Sequence, residues 1–87
     1  MPYAIEVAPA ALRQLRKIDG TDRVRVIAAI DRLAHQPRPA GVRALTGHPG
    51  LLRIRVGDYR VVYSVDDGKL VVTVIAAAHR RAIYRDL

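Results

Sequence analysis

RIRVGDYR, residues 53–60, alternates basic and apolar side chains on both sides of a Gly-Asp pair. A period of two marks strands with one buried face, and Gly57–Asp58 is a two-residue hairpin signal. Such a turn sets Val56 opposite Tyr59, Arg55 opposite Arg60, Ile54 opposite Val61 and Arg53 opposite Val62. Leu52, Ile54, Val56, Tyr59, Val61 and Tyr63 then share a core face, while Arg53, Arg55 and Arg60 share the other. Directly opposed like charges cost up to about 1 kcal/mol in a strand pair, a cost that a bound anion would reverse.

Working outward, the period of two persists through 51–56, 59–66 and 69–78, with Asp67–Gly68 as a second two-residue turn signal. With no bulge, that turn sets Tyr63 against Val72, Val61 against Val74 and Arg60 against Ile75. Odd-numbered residues 71–79 then fall on the arginine face, and His79 closes the strand there. An extra residue in either strand would flip part of this set. Arg80, Arg81, Tyr84 and Arg85 follow in a short terminal turn or helix and can fold back toward the same face.

Upstream, residues 3–8 alternate as a short strand, and Pro9 suits the first turn of a helix. Ala11, Leu12, Leu15 and Ile18 recur at helical spacing. Asp19–Gly20 stops that helix, and Thr21 or Asp22 can cap a second one running to about Gln36. Its apolar side reads as Val24, Ile27, Ile30, Leu33 and Ala34. Residues 37–50 are rich in Pro and Gly and read as a loop, long for so small a domain. The order is β-α-α-β-β-β: an α+β fold with two N-terminal helices on one face of a mainly antiparallel four-stranded sheet. Eighty-seven residues make a single domain, 1–87.

Composition narrows the function. Thirteen arginines and two lysines against eight carboxylates give a net charge of +7 and a pI near 10.8. Arginine is always charged and grips phosphate in bidentate fashion, so a polyanion or an acidic protein is the expected partner. There is no cysteine, which removes disulfides and thiolate zinc sites and fits a cytoplasmic location. No secretory signal is visible at MPYAIEV, and no apolar run is long enough to span a membrane.

The converging set Arg53, Arg55, Arg60, His79, Arg80 and Tyr84 contains no carboxylate. It offers nothing that would hold a catalytic metal, and no cofactor is expected. It can hold phosphate and stabilise charge developing on phosphorus. His79 or Tyr84 could move a proton. RNA cleavage needs these parts alone, because the 2′-hydroxyl supplies the nucleophile. The general base stays unassigned, since arginine is a poor one.

The run RIRVGDYRVVY…HRRAIYR, with the β-α-α order before it, resembles the RelE/ParE toxin superfamily of bacterial type II toxin–antitoxin pairs across essentially the whole chain. The resemblance implies the RelE-like microbial ribonuclease fold and, closest to RelE-type members, ribosome-dependent mRNA cleavage without metal. It matches Arg53, Arg55, Arg60, Arg80 and Tyr84 to the catalytic pattern, and implies phosphate binding and transition-state stabilisation by the strand arginines, with Tyr84 stacking on or orienting the nucleotide. Arginine stands at 53 and 55 where RelE carries lysine. Implied partners are an acidic cognate antitoxin, the ribosome and mRNA, with operator DNA bound through the antitoxin; no membrane is involved. ParE-type members inhibit DNA gyrase instead, and a basic module acting only with its antitoxin is a third reading.

Outside that set, Arg43, Arg81 and Arg85 are candidate RNA contacts at the rim. Arg13, Arg16, Lys17, Arg23, Arg25 and Arg32 read as solvated helix positions, and His48 as structural.

Overall fold

The computed structural model describes residues 1–85. Its elements are β1 (Ala4–Val7), α1 (Pro9–Lys17), α2 (Gly20–Arg32), β2 (Arg43–Ala44), β3 (Leu52–Val56), β4 (Tyr59–Asp66) and β5 (Val71–His79). The sheet has five strands in the order β1-β5-β4-β3-β2, one more than expected. The addition is β2, two residues inside the Pro/Gly stretch, too short to carry a period. β1 lies parallel to β5, and every other pairing is antiparallel.

Pro9 opens α1, as its missing N–H requires no partner in the first turn. Asp19 immediately precedes α2, which starts at Gly20, earlier than a Thr21 or Asp22 cap would allow. Ala11, Leu15 and Ile18 are buried, joined by Val26, Ala29, Ile30 and Leu33. The expected stripes hold at Ala11, Leu15, Ile18, Ile30 and Leu33, whereas Leu12, Val24 and Ile27 are exposed. Val26 and Ala29 take the buried places beside Ile30 and Leu33. Beneath the helices lie Ile54, Val61, Tyr63, Val72, Val74 and Ala77, with Tyr59 and Val56 packed against them.

The first hairpin has the expected register throughout, Arg55 opposite Arg60 included. Gly57 has φ +58 and is the sole turn residue with positive φ, the type II′ geometry that favours glycine at the first turn position. The guanidinium of Arg25 also lies over Gly57, 3.1 Å from where a Cβ would stand.

The second hairpin departs from expectation twice. Four residues, Asp67–Leu70, make the connection, with the Asp66 carboxylate accepting the Lys69 N–H at 2.9 Å and Leu70 at φ +55. Tyr63 therefore pairs with Val74 rather than Val72. A bulge then leaves Ile75 without a partner, so Val62 meets Ala76, Arg60 meets Ala78 and Tyr59 meets His79. The bulge exchanges the faces of the strand's last residues: 71, 73 and 75 keep the predicted side, while 77 and 79 turn to the helix side. The Ala77 N–H donates to Gln14 Oε1 of α1 at 2.9 Å, so α1 holds the bulged strand from the core side.

A smaller cluster forms on the opposite face from Val62, Ala76 and Ile83, with Leu45, Leu51 and Ile75 against it. It seats the 45–51 loop and the C-terminal turn beside the arginines. At the far end of the sheet, Asp67 takes both arms of Arg38 (2.9 and 3.1 Å) and the Tyr3 hydroxyl (2.7 Å), while the Tyr63 hydroxyl donates to the Pro37 carbonyl at 2.7 Å.

Candidate nucleic-acid interface

Two rows of arginine cross the sheet. Arg43 of β2 stands opposite Arg53 of β3, and one row along Arg55 stands opposite Arg60. The second pair was expected from the hairpin; the first came with β2. Burial separates their members. Arg60 is only 8% exposed, Arg53 is half-buried and Arg55 is exposed.

Arg60 is thus a buried cation with no carboxylate partner among the described residues. Its Nη1 donates to the carbonyls of Gly57 (3.1 Å) and Tyr59 (3.0 Å), which fixes the guanidinium plane against the turn. Nε and Nη2 have no acceptor among the described residues, yet no buried side-chain nitrogen is left orphaned. Those N–H groups accordingly open onto solvent, the geometry of a guanidinium preset for an anion. Burial, then the charges of Arg55 and Arg53, lower the Arg60 pKa; Arg80 adds to this and the Tyr84 phenol opposes it. Arg53, Arg55, Arg80 and Tyr84 all act on this one group.

Arg80 is held by its backbone N–H on the Asp58 carbonyl (2.7 Å) and by Nε 3.7 Å from the Asp58 carboxylate. Asp58 therefore brings a carboxylate to the rim of a cluster expected to have none. The pair is exposed, so its attraction is weak. Arg81 and Arg85 are exposed in the terminal turn, and Tyr84 is 47% exposed.

His79 does not join the cluster. The bulge sets it opposite Tyr59, with the rings edge-to-face at 5.8 Å on the helix side. Its Nδ1 accepts the Arg81 N–H at 3.2 Å, so the imidazole caps the terminal turn. The sequence shows no mark of the bulge, because Val71–Ala78 is apolar at almost every position of either parity.

A groove of about 940 Å³ runs along β3 between the sheet and α2. Arg25, Arg32, Arg43, Arg53, Arg55 and Arg60 line it, with no acidic residue among its described lining. Arg25 and Arg32 were expected on a solvated helix face. They stand seven residues apart, two turns of one helix side, and that spacing is the signal that could have placed them together. No group of three or more His, Asp or Glu residues suited to a metal occurs among the described residues, and no described helix is long and apolar enough to cross a membrane.

An α+β protein with a carboxylate-poor arginine face fits the basic toxins that the sequence resembles, and comparison with known proteins gives the same answer. Residues 5–84 match the family described as ParE toxin of type II toxin-antitoxin system, parDE. Toxin RelE of Mycobacterium tuberculosis is 33% identical over 97% of this chain and 88% of its own length. Toxin RelG of the same organism is 30% identical over 98% and 99%. Among solved structures, the M. tuberculosis toxin-antitoxin complex RelBE2 superposes with a TM-score of 0.81 at 27% identity, covering 92% of this chain and all of that one. A free mutant E. coli toxin RelE gives 0.77 at 31% identity, covering 94% and 87%. The chain belongs to the ParE toxin family, within the RelE/ParE superfamily, and by homology is the toxin of a RelBE-type toxin–antitoxin system.

Proposed function

We propose that this toxin is a ribosome-dependent mRNA endonuclease that works without a metal, its strand arginines gripping the scissile phosphate. The observation that carries the reading is Arg60, a buried guanidinium whose partners among the described residues are two backbone carbonyls, with further N–H groups open to solvent. Arg53 and Arg55 extend the grip along β3, and Arg80 closes it from the terminal turn. As the 2′-oxygen attacks phosphorus, negative charge grows on the non-bridging oxygens, and fixed cations stabilise it more than they stabilise the ground state. Tyr84 stacks on the neighbouring base, and Arg43, Arg81 and Arg85 hold the flanking backbone.

The regulator in this reading is an acidic antitoxin. Structural relatives include complexes of RelE with RelB from M. tuberculosis, Pyrococcus horikoshii and E. coli. A net charge of +7 and the exposed Leu12, Val24 and Ile27 suit a partner that is both acidic and apolar. The antitoxin would neutralise the toxin in the cytoplasm and carry the pair to operator DNA.

Gyrase inhibition is the second reading, favoured by the match to a family described as ParE toxin. Brief expression in a bacterial host, with parallel assays of mRNA integrity and DNA supercoiling, separates the two. Cut mRNA with unchanged supercoiling is expected. Intact mRNA on translating ribosomes with lost gyrase activity would replace the first reading by the second.

A further inference from the structure

The cleavage reading needs a group to take the 2′-hydroxyl proton, and neither the arginines nor His79 supplies it. Arginine does not deprotonate at usable pH. The His79 ring lies against Tyr59 with Nδ1 occupied.

A second hollow lies on the arginine face, beside the groove and sharing Arg53 with it. Ala44, Leu45, Thr46, His48, Arg53 and Tyr84 line it, in about 400 Å³. Its floor is built locally. Leu45 and Leu51 pack into the small cluster of Val62, Ala76 and Ile83. The loop between them closes on itself through Leu45 N–H to the Leu51 carbonyl (3.0 Å), His48 N–H to the Leu45 carbonyl (3.2 Å) and Leu51 N–H to the His48 carbonyl (3.1 Å). Gly47 and Gly50, at φ +80 and +84, make these tight turns possible. The outcome is a half-buried imidazole that lines one hollow with Arg53 and Tyr84, and no side-chain hydrogen bond of His48 occurs among the described residues.

We infer that His48 is the general base of the reaction, taking the 2′-hydroxyl proton from a ribonucleotide seated between Arg53 and Tyr84. This rests on the endonuclease reading. The step balances without a further reagent. The proton passes from O2′ to the neutral imidazole, the O2′–P bond forms and the P–O5′ bond breaks. The leaving O5′ takes a proton from water, and the imidazolium returns its own to the hydroxide so formed. The products are a 2′,3′-cyclic phosphate and a 5′-hydroxyl. Arg53 serves both hollows, so one guanidinium spans the phosphate and the attacking sugar.

The test uses purified full-length toxin in a reconstituted translation reaction, with the wild type, His48→Ala and His48→Asn compared with and without added imidazole. A lost general base is expected to lower the cleavage rate by about 10²-fold or more in both variants. Imidazole should restore part of it in His48→Ala, the variant with an open space, with thermal melting near that of the wild type. The loop closes through main-chain bonds, so His48→Asn preserves folding should His48→Ala perturb it. Wild-type rates in either folded variant would overturn the assignment and leave the endonuclease reading standing. Loss of cleavage in His48→Ala without imidazole rescue would reduce His48 to a structural part and overturn it as well. No cleavage by the wild type would remove the endonuclease reading, and this inference with it.

Discussion

Arg55 and Arg60 are Cα partners across the β3–β4 hairpin, and Arg60 is buried there with backbone carbonyls as its sole acceptors among the described residues. Two cations face one another with no carboxylate paired to either among the described residues, so the free protein carries a repulsion that a ligand anion relieves. Replacing Arg55 by Gln should therefore raise the stability of the free toxin, by up to about 1 kcal/mol. The same change should lower mRNA cleavage by about 10²-fold. Thermal melting and a cleavage assay on one preparation would check both directions; a variant that is both less stable and fully active would contradict this role.

His79 tests the corrected register. With its ring against Tyr59 and Nδ1 holding the Arg81 N–H, His79→Gln should cost about 1 kcal/mol of stability and leave cleavage near the wild-type rate. A large loss of cleavage with unchanged melting would return His79 to the active face.

Gln14 should matter more than its place on a short helix suggests. Gln14→Ala removes the acceptor of a half-buried backbone N–H at the bulged strand, at a cost of about 1–3 kcal/mol. Hydrogen exchange at the Ala77 amide should accelerate, whereas the amides of β3 should change little.

Gly57→Ala combines two penalties, a positive φ and a Cβ 3.1 Å from the Arg25 guanidinium. It should destabilise by more than about 1 kcal/mol, and cleavage should fall too, because the Gly57 carbonyl anchors Arg60.

Alkali should unfold the protein through Tyr63. Burial raises its phenol from 10.0 to about 12. A raised folded pKa gives stability that is complete below the unfolded value and lost as pH climbs through the folded one. Denaturant midpoints should thus decline between pH 10 and about 12. The decline should be shallower in Tyr63→Phe, which is less stable at neutral pH for want of the bond to the Pro37 carbonyl.

The first hairpin was legible in the sequence because its information is local. Gly57 sets the turn, alternation sets the faces, and together they placed Arg55 across from Arg60 before any tertiary structure was considered. The second hairpin was not. Asp66 captures the Lys69 N–H and lengthens the turn, and the run VVTVIAAA is apolar on both faces, so no residue reveals the bulge at Ile75. β2 was hidden because two residues carry no period. The face of α2 was legible only in part: Ile30 and Leu33 are buried as read, but Val24 and Ile27 outrank Ala29 in hydropathy while Val26 and Ala29 hold the core side. His48, read as structural in a Pro/Gly loop, gained its place beside Arg53 through Leu45 and Leu51, contacts that sequence spacing does not disclose.

An arginine face that cuts RNA leaves ends of defined position and chemistry, and mapping those ends is the most direct test. Ribosome-bound mRNA exposed to the wild-type toxin and to Arg60→Ala would be analysed for position and end chemistry. Cuts on the ribosome ending in 2′,3′-cyclic phosphate and 5′-hydroxyl, at least about 10²-fold rarer with Arg60→Ala, are the expected result. Undiminished cleavage by a folded Arg60→Ala protein, or ends with a 5′-phosphate, would contradict it.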